Sequence, residues 1–313
     1  MSMLNYAFKR IIQIIPILII VSILIFFMIR LIPGDPITIR LGPKATPQMV
    51  EILMKKEGLD KPIFDQYIIF IKNLLRFDMG NSIIYHIPIL VLLKKRIVVT
   101  LFLTLFTLIF SVVISFPLGY LAGIKENKIQ DQIIRTGALV ALSAPQFWVG
   151  LILMILFAVS IHIFPVGGWG DTWLQHLRAI ILPAFTQSLM TAALLARNLR
   201  NGVVDILKMD YVDFAKSKGL DDKVIKNRHI IRNAMIPYVT LIAMRAAYML
   251  GGSIIIETVF ALPGVGALMI QSIYGRDYTV IQGVVLIFAL VVMTINILTD
   301  LTYAYLDPRV RFE

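Results

Sequence analysis

The chain has 313 residues, of which 58% are hydrophobic and only 16% are charged, and its mean hydropathy is +0.83. This composition is too apolar for a soluble globular protein of that length and indicates a membrane protein. The net charge of +11 does not indicate nucleic-acid binding, because the basic residues cluster between apolar segments, and the absence of cysteine excludes disulfides, thiol catalysis and Cys-type metal sites.

Six apolar segments are long enough to cross about 30 Å of hydrocarbon. The first follows Lys9 and Arg10 and lacks a small-residue cleavage site, so we interpret it as a retained span. Six spans predict an all-α, polytopic membrane protein with both termini on one side, organised as a single domain over residues 1–313. The predicted spans cover residues 11–29, 97–124, 136–160, 179–196, 237–257 and 278–299.

The distribution of Lys and Arg predicts the orientation of these spans. With a cytoplasmic N-terminus, the inner segments hold sixteen Lys/Arg, whereas the short outer loops hold only Arg178 and Arg276. The segment 31–96 would then lie outside. Together with its flanking Arg30 it carries eleven Lys/Arg, but the charge of so long a loop counts for little in topology. Both termini are therefore expected in the cytoplasm.

The external segment 31–96 opens with Pro33, Gly34 and Pro36, which are expected to end the first span at the membrane interface. Within it, residues 66–75 place apolar side chains on one helical face (Tyr67, Phe70, Ile71 and Leu74). We expect an external cap packed on the spans, and the alternative is a direct part in gating or in docking a binding protein.

The charged block at residues 205–236 separates the fourth and fifth spans. Tyr211, Phe214, Ala215 and Lys218 recur at helical spacing, Gly219 can end the helix in a left-handed conformation, and an Asp pair follows that can cap another helix. The pattern predicts a short helix–turn–helix presented to a partner in the cytoplasm. Between residues 197 and 232 lie nine basic residues: Arg197, Arg200, Lys208, Lys216, Lys218, Lys223, Lys226, Arg228 and Arg232.

Four residues near or within the predicted spans are candidates for a translocation path or gate, or for structural roles. Arg245 in the fifth span and Asp300 at the sixth could reach similar depth, so they are expected either to form an ion pair or to leave Arg245 facing the substrate path. Glu257 is expected to be a gate or docking residue, or an ordinary interfacial carboxylate. Pro145 predicts a kink in the third span.

Several catalytic motifs are absent from the sequence. It has no Gly-x-x-x-x-Gly-Lys-Ser/Thr loop, so we expect no nucleotide site and no ATP hydrolysis by this chain. It has no His-Glu-x-x-His, and its four histidines are scattered, so no metal site is expected. Gly251-Gly252-Ser253 predicts close helix packing and not a serine nucleophile. The chain is therefore expected to be no enzyme and to bind no cofactor directly.

The charged block also contains a motif. Asp213, Phe214 and Ala215 are followed after three residues by Gly219, which resembles the Glu-Ala-Ala-x-x-x-Gly coupling loop of ABC-importer permeases. In the general family a Pro stands thirteen residues after the Gly, but here that place holds Arg232 and the Pro comes at Pro237, a version similar to the peptide/nickel permease branch. Segments that resemble the same branch span the chain, at residues 31–36, 261–266, 276–278 and 305–309.

The resemblance implies a type I, binding-protein-dependent importer in a prokaryotic inner membrane. It implies four kinds of partner: a second homologous permease, two ATPase subunits that use ATP-Mg, an extracytoplasmic substrate-binding protein and membrane lipid. Tyr211, Phe214 and Ala215 would supply an apolar knob for an ATPase groove and Gly219 its turn, with Asp213 and Lys218 in the same coupling set. The expected substrates are dipeptides or oligopeptides. The alternatives are nickel or a metal chelate and, from another class, a stand-alone carrier or channel, which would have no need of a coupling loop.

Overall fold

The computed structural model describes residues 3–31, 36–42 and 45–306, although side chains at several places inside these ranges, among them residues 3–11 and 300–306, are not described. Most of the segment around Pro33 and Gly34, and the end of the motif at 305–309, lie outside the described residues. The described ranges contain helices and one isolated β-bridge, and no strand. The helices are α1 (Met3–Arg30), α2 (Pro36–Leu41), α3 (Pro47–Glu57), α4 (Ile63–Leu75), α5 (Ile89–Ile124), α6 (Ile129–Ser143), α7 (Gln146–Met154), α8 (Trp173–Leu207), α9 (Asp210–Ser217), α10 (Asp222–Val224), α11 (Arg232–Val259), α12 (Val265–Tyr274) and α13 (Tyr278–Leu306).

Two of these helices continue through π-helical turns, α7 into Ile155–Ser160 and α10 through Ile225–Ile231 into α11. Within the described ranges, four helices are long and apolar enough to cross a membrane: α1, α5, α8 and α13. The pair α6–α7 makes a fifth candidate if it is one span. The helix α5 begins at Ile89, earlier than the predicted start at residue 97, because charged residues such as Lys94 and Lys95 end the apolar window without ending the helix.

The helices α5 and α8 form the centre of the fold and run parallel. Residues further along α5 contact residues further along α8, so the two helices point in the same direction. Small residues let the two backbones approach, because a methyl group at Gly119 or Gly123 would collide with α8. We name the end where α8 leads into α9 the α9 end, and the opposite end the α12 end. The neighbouring positions are Thr107 with Gln187, Ser111 with Ser188, Gly119 with Ala196, and Gly123 with Val203.

The helix α11 runs antiparallel to α5 and α8. At the α9 end the hydroxyls of Ser115 and Tyr238 are hydrogen-bonded at 2.6 Å, and at the α12 end Thr100 donates to Glu257 at 2.7 Å. The helix α13 returns alongside it, since Thr299 Oγ1 lies 3.4 Å from the Ala243 carbonyl oxygen. The chain therefore crosses the bundle from the α9 end to the α12 end along α11, and back along α13.

The pair α6–α7 is broken more sharply than the kink predicted at Pro145. The two helices meet at an angle of 101°, with Ala144 extended and Pro145 at the N-cap of α7. Because proline cannot donate a backbone hydrogen bond and disfavours helical geometry in the residue before it, the helix ends at Ser143 and a new one starts. Since α5 and α8 are parallel, this pair must carry the chain from the α9 end to the α12 end.

The segment before α5 packs on the helices at two places. The Tyr67 and Phe70 rings of α4 lie against Phe26 of α1, with ring centroids at 5.2 and 5.6 Å, and Arg30 donates to Gln66 at 2.9 Å. This is the packed face predicted for residues 66–75. The second place is the corner between α12 and α13, described below.

Candidate functional site

The helix α9 is fixed to the bundle by one face. Val212 and Ala215 are buried in an apolar cluster contributed by α8, α9, the π-helical turn and α11. In this cluster they pack with Leu199, Val203 and Ile230. Ala215, expected in the exposed knob, therefore belongs to the inner face of α9, because helical periodicity places it beside Val212 and not beside Phe214 in the folded chain.

The opposite face of α9 is exposed. Phe214 is 61% exposed and Tyr211 is 41% exposed, whereas only Val212 and Ala215 of α9 are buried. The Lys218 ammonium lies 4.5 Å from the centroid of the Phe214 ring, and Asp213 forms an exposed ion pair with Lys216 at 3.1 Å. These four positions form one surface, apolar at its centre and charged at its edge, which we name the α9 outer face: Tyr211, Asp213, Phe214 and Lys218.

Gly219 ends this unit in the left-handed conformation predicted from the sequence. Its φ is +75°, and the Leu220 N–H donates back to the Ala215 carbonyl oxygen at 3.3 Å. Nothing lies within 4 Å of a Cβ at this position, so the backbone conformation alone requires glycine. The Asp221 carboxylate then accepts from the Lys223 N–H at 3.1 Å and caps α10, as expected.

Asn233 links α9 to α11, a contact that the sequence analysis did not identify. Its amide nitrogen donates to the Tyr211 hydroxyl oxygen at 3.0 Å and to the His229 carbonyl oxygen at 2.7 Å. The Tyr211 and His229 rings lie 6.3 Å apart. The Tyr211 side chain is therefore joined to the first turn of α11 by a hydrogen bond.

Glu257 is fully buried at the α12 end and holds α5, α11 and α12 together. Its carboxylate accepts from Thr100 Oγ1 at 2.7 Å and from the Ala267 N–H at 2.9 Å, while Thr100 in turn accepts from the Val265 N–H at 2.9 Å. A side chain at Gly264 would collide with this carboxylate. The geometry is that of an internal cap for the N-terminus of α12, and in this conformation no edge of Glu257 is accessible to a docking protein.

Asp277 forms a second buried anchor, which the sequence analysis did not identify. It accepts from Ser82 Oγ at 2.5 Å, from the Ile84 N–H at 3.1 Å and from the Val280 N–H at 3.2 Å. The carboxylate thus caps α13 and ties the segment before α5 to the corner between α12 and α13. Its sequence position after Arg276 gave no signal for a partner so distant in the chain.

Arg245 is half-buried on α11, with its guanidinium carbon 5.9 Å from the centroid of the Tyr248 ring. The side chain of Asp300 lies outside the described residues, so their pairing stays a prediction. Thr299 contacts Ala243, which places the adjacent backbone of α13 next to this part of α11. Among the described residues, no group of three or more metal-binding side chains is present.

Comparisons with known proteins place this arrangement in a family. Residues 115–312 match the family model of the binding-protein-dependent transport system inner membrane component, and residues 3–90 match the model of the N-terminal part of such membrane components. The glutathione transport system permease protein GsiC of Escherichia coli K12 is 37% identical over 311 residues, covering 99% of this chain and all of the relative, and the GsiC protein of Pectobacterium atrosepticum matches to the same extent.

Solved structures agree in fold. An inward-facing structure of the MetNI methionine ABC transporter aligns with a TM-score of 0.58 at 20% identity, covering 70% of this chain and 97% of that chain. An amino acid ABC transporter crystallised with histidines aligns with a TM-score of 0.51 at 17% identity, covering 68% and 94%. With both parts of the sequence matched, this chain belongs to the inner membrane components of binding-protein-dependent ABC importers, in the peptide/nickel permease family.

Proposed function

We propose that the chain forms half of the translocation pathway of an ATP-driven importer of glutathione-like or other short peptides. The observation that carries the substrate class is the identity of 37% along essentially the whole chain to glutathione permeases. The partners in this proposal are a second homologous permease, two ATPase subunits that hydrolyse ATP-Mg, and an extracytoplasmic binding protein. The chain itself supplies no nucleotide site, and both of its termini lie in the cytoplasm.

The α9 outer face is the proposed contact with the ATPase. An apolar centre with a charged edge is the usual make-up of a protein interface, and exposed aromatic residues are its frequent anchors. Tyr211 and Phe214 would enter a groove of the ATPase, while Asp213 and Lys218 would orient the contact. Because the inner face of α9 packs on α8 and α11, closure of two ATPase subunits would move these helices as rigid elements.

The translocation path remains part of the same proposal. Arg245 is half-buried on α11, where an unpaired charge would be costly in lipid, so we assign it either to an ion pair with Asp300 or to the substrate path. Glu257 is assigned to the gate region as a structural carboxylate that fixes α12.

Uptake by reconstituted vesicles tests this function. With both permeases, both ATPases and the binding protein present, ATP should drive uptake of glutathione or short peptides, whereas Ni²⁺ or a nickel chelate should not accumulate. Omission of the ATPases should abolish uptake, and this chain alone should hydrolyse no ATP. Uptake without ATPases would identify a stand-alone carrier, and accumulation of nickel alone would identify the alternative substrate.

The coupling contact is tested in the same vesicles with Phe214→Asp. A charge at the centre of the α9 outer face should lower ATPase co-purification and uptake at least tenfold, because a buried unpaired carboxylate is strongly unfavourable in an interface. The matched control is Phe64→Asp, which makes the same change at a 72% exposed phenylalanine of α4. Equal loss in both variants, or in neither, would contradict the assignment.

A further inference from the structure

A cavity of about 370 Å³ opens between α5, α6 and α8 near the α9 end, away from the α9 outer face and from Glu257. One wall is apolar and comes mainly from α6, with Ile134, Ala138 and Leu142. Three guanidinium groups also line the cavity, those of Arg135 on α6 and of Arg197 and Arg200 on α8. The lining of the cavity is therefore amphipathic, because it combines guanidinium groups with apolar side chains.

The charges of this cavity are only partly balanced within the chain. Arg200 is held by the buried Asp131 through two hydrogen bonds of 2.7 and 3.1 Å, and the Glu126 carboxylate is paired with Lys208 at 3.1 Å. Arg135 and Arg197 are exposed, and neither forms a hydrogen bond or an ion pair with the described part of the chain. Two positive charges thus remain available to an anion.

The apolar wall decides which kind of anion fits. A small soluble anion gains nothing from hydrocarbon beside it, whereas a phospholipid presents a phosphodiester next to acyl chains. The wall continues onto the outer surface of α6, where Ile133, Leu139 and Val140 are each more than half exposed. Arginine binds phosphate oxygens through two parallel hydrogen bonds, and basic pockets between transmembrane helices bind anionic headgroups.

We propose that this cavity is a binding site for an anionic phospholipid. The phosphodiester lies between Arg135 and Arg197, and an acyl chain follows the exposed apolar side of α6. Because Arg135 belongs to α6 and Arg197 to α8, the bound lipid bridges the two helices just before α8 leads into α9. The Asp131–Arg200 ion pair joins the same two helices from inside the protein.

The test uses the full chain, expressed with its partner subunits. The complex is incubated with phosphatidylglycerol or with phosphatidylcholine, and native mass spectrometry counts the bound lipid molecules. Arg135→Gln with Arg197→Gln should weaken phosphatidylglycerol binding by roughly thirtyfold, since each basic residue near an anionic headgroup contributes on the order of a factor of five. The matched control is Lys125→Gln with Lys128→Gln, which removes two charges from the same end of the bundle without altering the cavity lining. The control should retain the lipid.

Three results would overturn the proposal. One is equal retention of phosphatidylglycerol by the arginine variant and the wild type, and another is equal binding of phosphatidylcholine by the wild type. The third is loss of the second permease from the arginine variant with lipid occupancy unchanged, which would make the cavity a contact between subunits. Because the lipid is counted directly, these outcomes do not depend on transport of a particular substrate.

Discussion

Glu257 illustrates how a single buried carboxylate can fix several helices. A charged or polar group that is shielded from water must have its hydrogen bonds satisfied by the protein. Here Thr100 and the Ala267 N–H donate hydrogen bonds to the Glu257 carboxylate. Thr100 also accepts from the Val265 N–H, so α5 and the first turn of α12 are fixed through the same two side chains. In this conformation the hydrogen bonds of the buried carboxylate position these helices.

Replacement of Glu257 by Gln should destabilise the chain. Glutamine has one acceptor oxygen and one amide group where several donors converge, so at least one buried donor loses its partner at a cost of about 1–3 kcal/mol. We expect a lower apparent Tm in detergent. Thr258→Val is the control, because its hydroxyl is exposed and bonds only within α11, to the Ile254 carbonyl oxygen.

A double-mutant cycle with Thr100→Val separates this contact from general damage. The combined loss should be smaller than the sum of the single losses, because both changes break the same hydrogen bond. Strict additivity, or an apparent Tm of Glu257→Gln equal to that of the control, would show that the carboxylate does not organise the α12 end.

At the scale of elements, α9 combines two requirements in eight residues. Its inner face must be apolar to pack on the bundle, and under the proposed coupling its outer face must remain available to the ATPase. Val212 and Ala215 meet the first requirement, and Tyr211 and Phe214 lie on the second face. The hydrogen bond from Asn233 to Tyr211 strengthens the attachment of α9, which the proposed coupling would require.

The turn after α9 should not tolerate a β-branched residue. At Gly219 the φ of +75° is accessible to glycine and to asparagine, but it costs valine on the order of 1–2 kcal/mol or more. We expect Gly219→Val to lower ATPase co-purification and uptake, while Gly219→Asn retains most of both. The Cβ itself meets no neighbour, so a similar loss in both variants would mean that the glycine serves some purpose other than its backbone conformation.

The helix α12 could not be recognised from the hydropathy of the sequence. Its ten residues are too few to cross a membrane, so the sequence suggested only an outer loop there. In the fold its N-terminus is capped by Glu257, and Asp277 caps the following α13. Asp277 also holds residues 82 and 84, so the segment before α5 and the α12–α13 corner are expected to move together.

For the whole molecule, the parallel direction of α5 and α8 determines the path of the chain between them. A chain that leaves α5 at the α9 end must return to the α12 end before α8 begins. The broken pair α6–α7 is the segment that makes this return, despite its bend of 101°. Lipid-exposed irregular backbone is unfavourable in a bilayer, so the break at residues 144–145 should be covered by protein or face a water-filled cavity.

Cysteine labelling in intact cells tests this path, and the natural chain is suitable because it contains no cysteine. Single cysteines at Lys128, Val166 and Ser217 fall on exposed positions. If α6–α7 is one crossing, an impermeant maleimide should label Val166→Cys from outside, but Lys128→Cys and Ser217→Cys only after the membrane is opened. Labelling of Lys128→Cys and Val166→Cys from the same side would mean a re-entrant α6–α7 and would contradict the parallel crossing of α5 and α8.

The sequence by itself determined the features that depend on local chemistry. The length and position of apolar segments can be found from the sequence because the free energy of transfer into lipid depends on each residue type. The turn at Gly219 can be found because it depends on the backbone conformation of a few neighbouring residues. The same local reasoning predicted the packed face of α4 and the cap at Asp221. It also located, between α8 and α11, the motif that resembles the coupling loop of ABC-importer permeases.

Only the tertiary structure decided which polar groups meet across the chain. Thr100 and Glu257 are 157 positions apart, Ser82 and Asp277 are 195 positions apart, and Asp131 and Arg200 are 69 positions apart. Each pair forms because the directions and contacts of α5, α8, α11 and α13 bring distant segments to the same end of the bundle. Helix direction and packing are collective properties of the folded chain, which is why Ala215 faces inward, Glu257 is an internal cap, and the α6–α7 break is sharper than a proline kink.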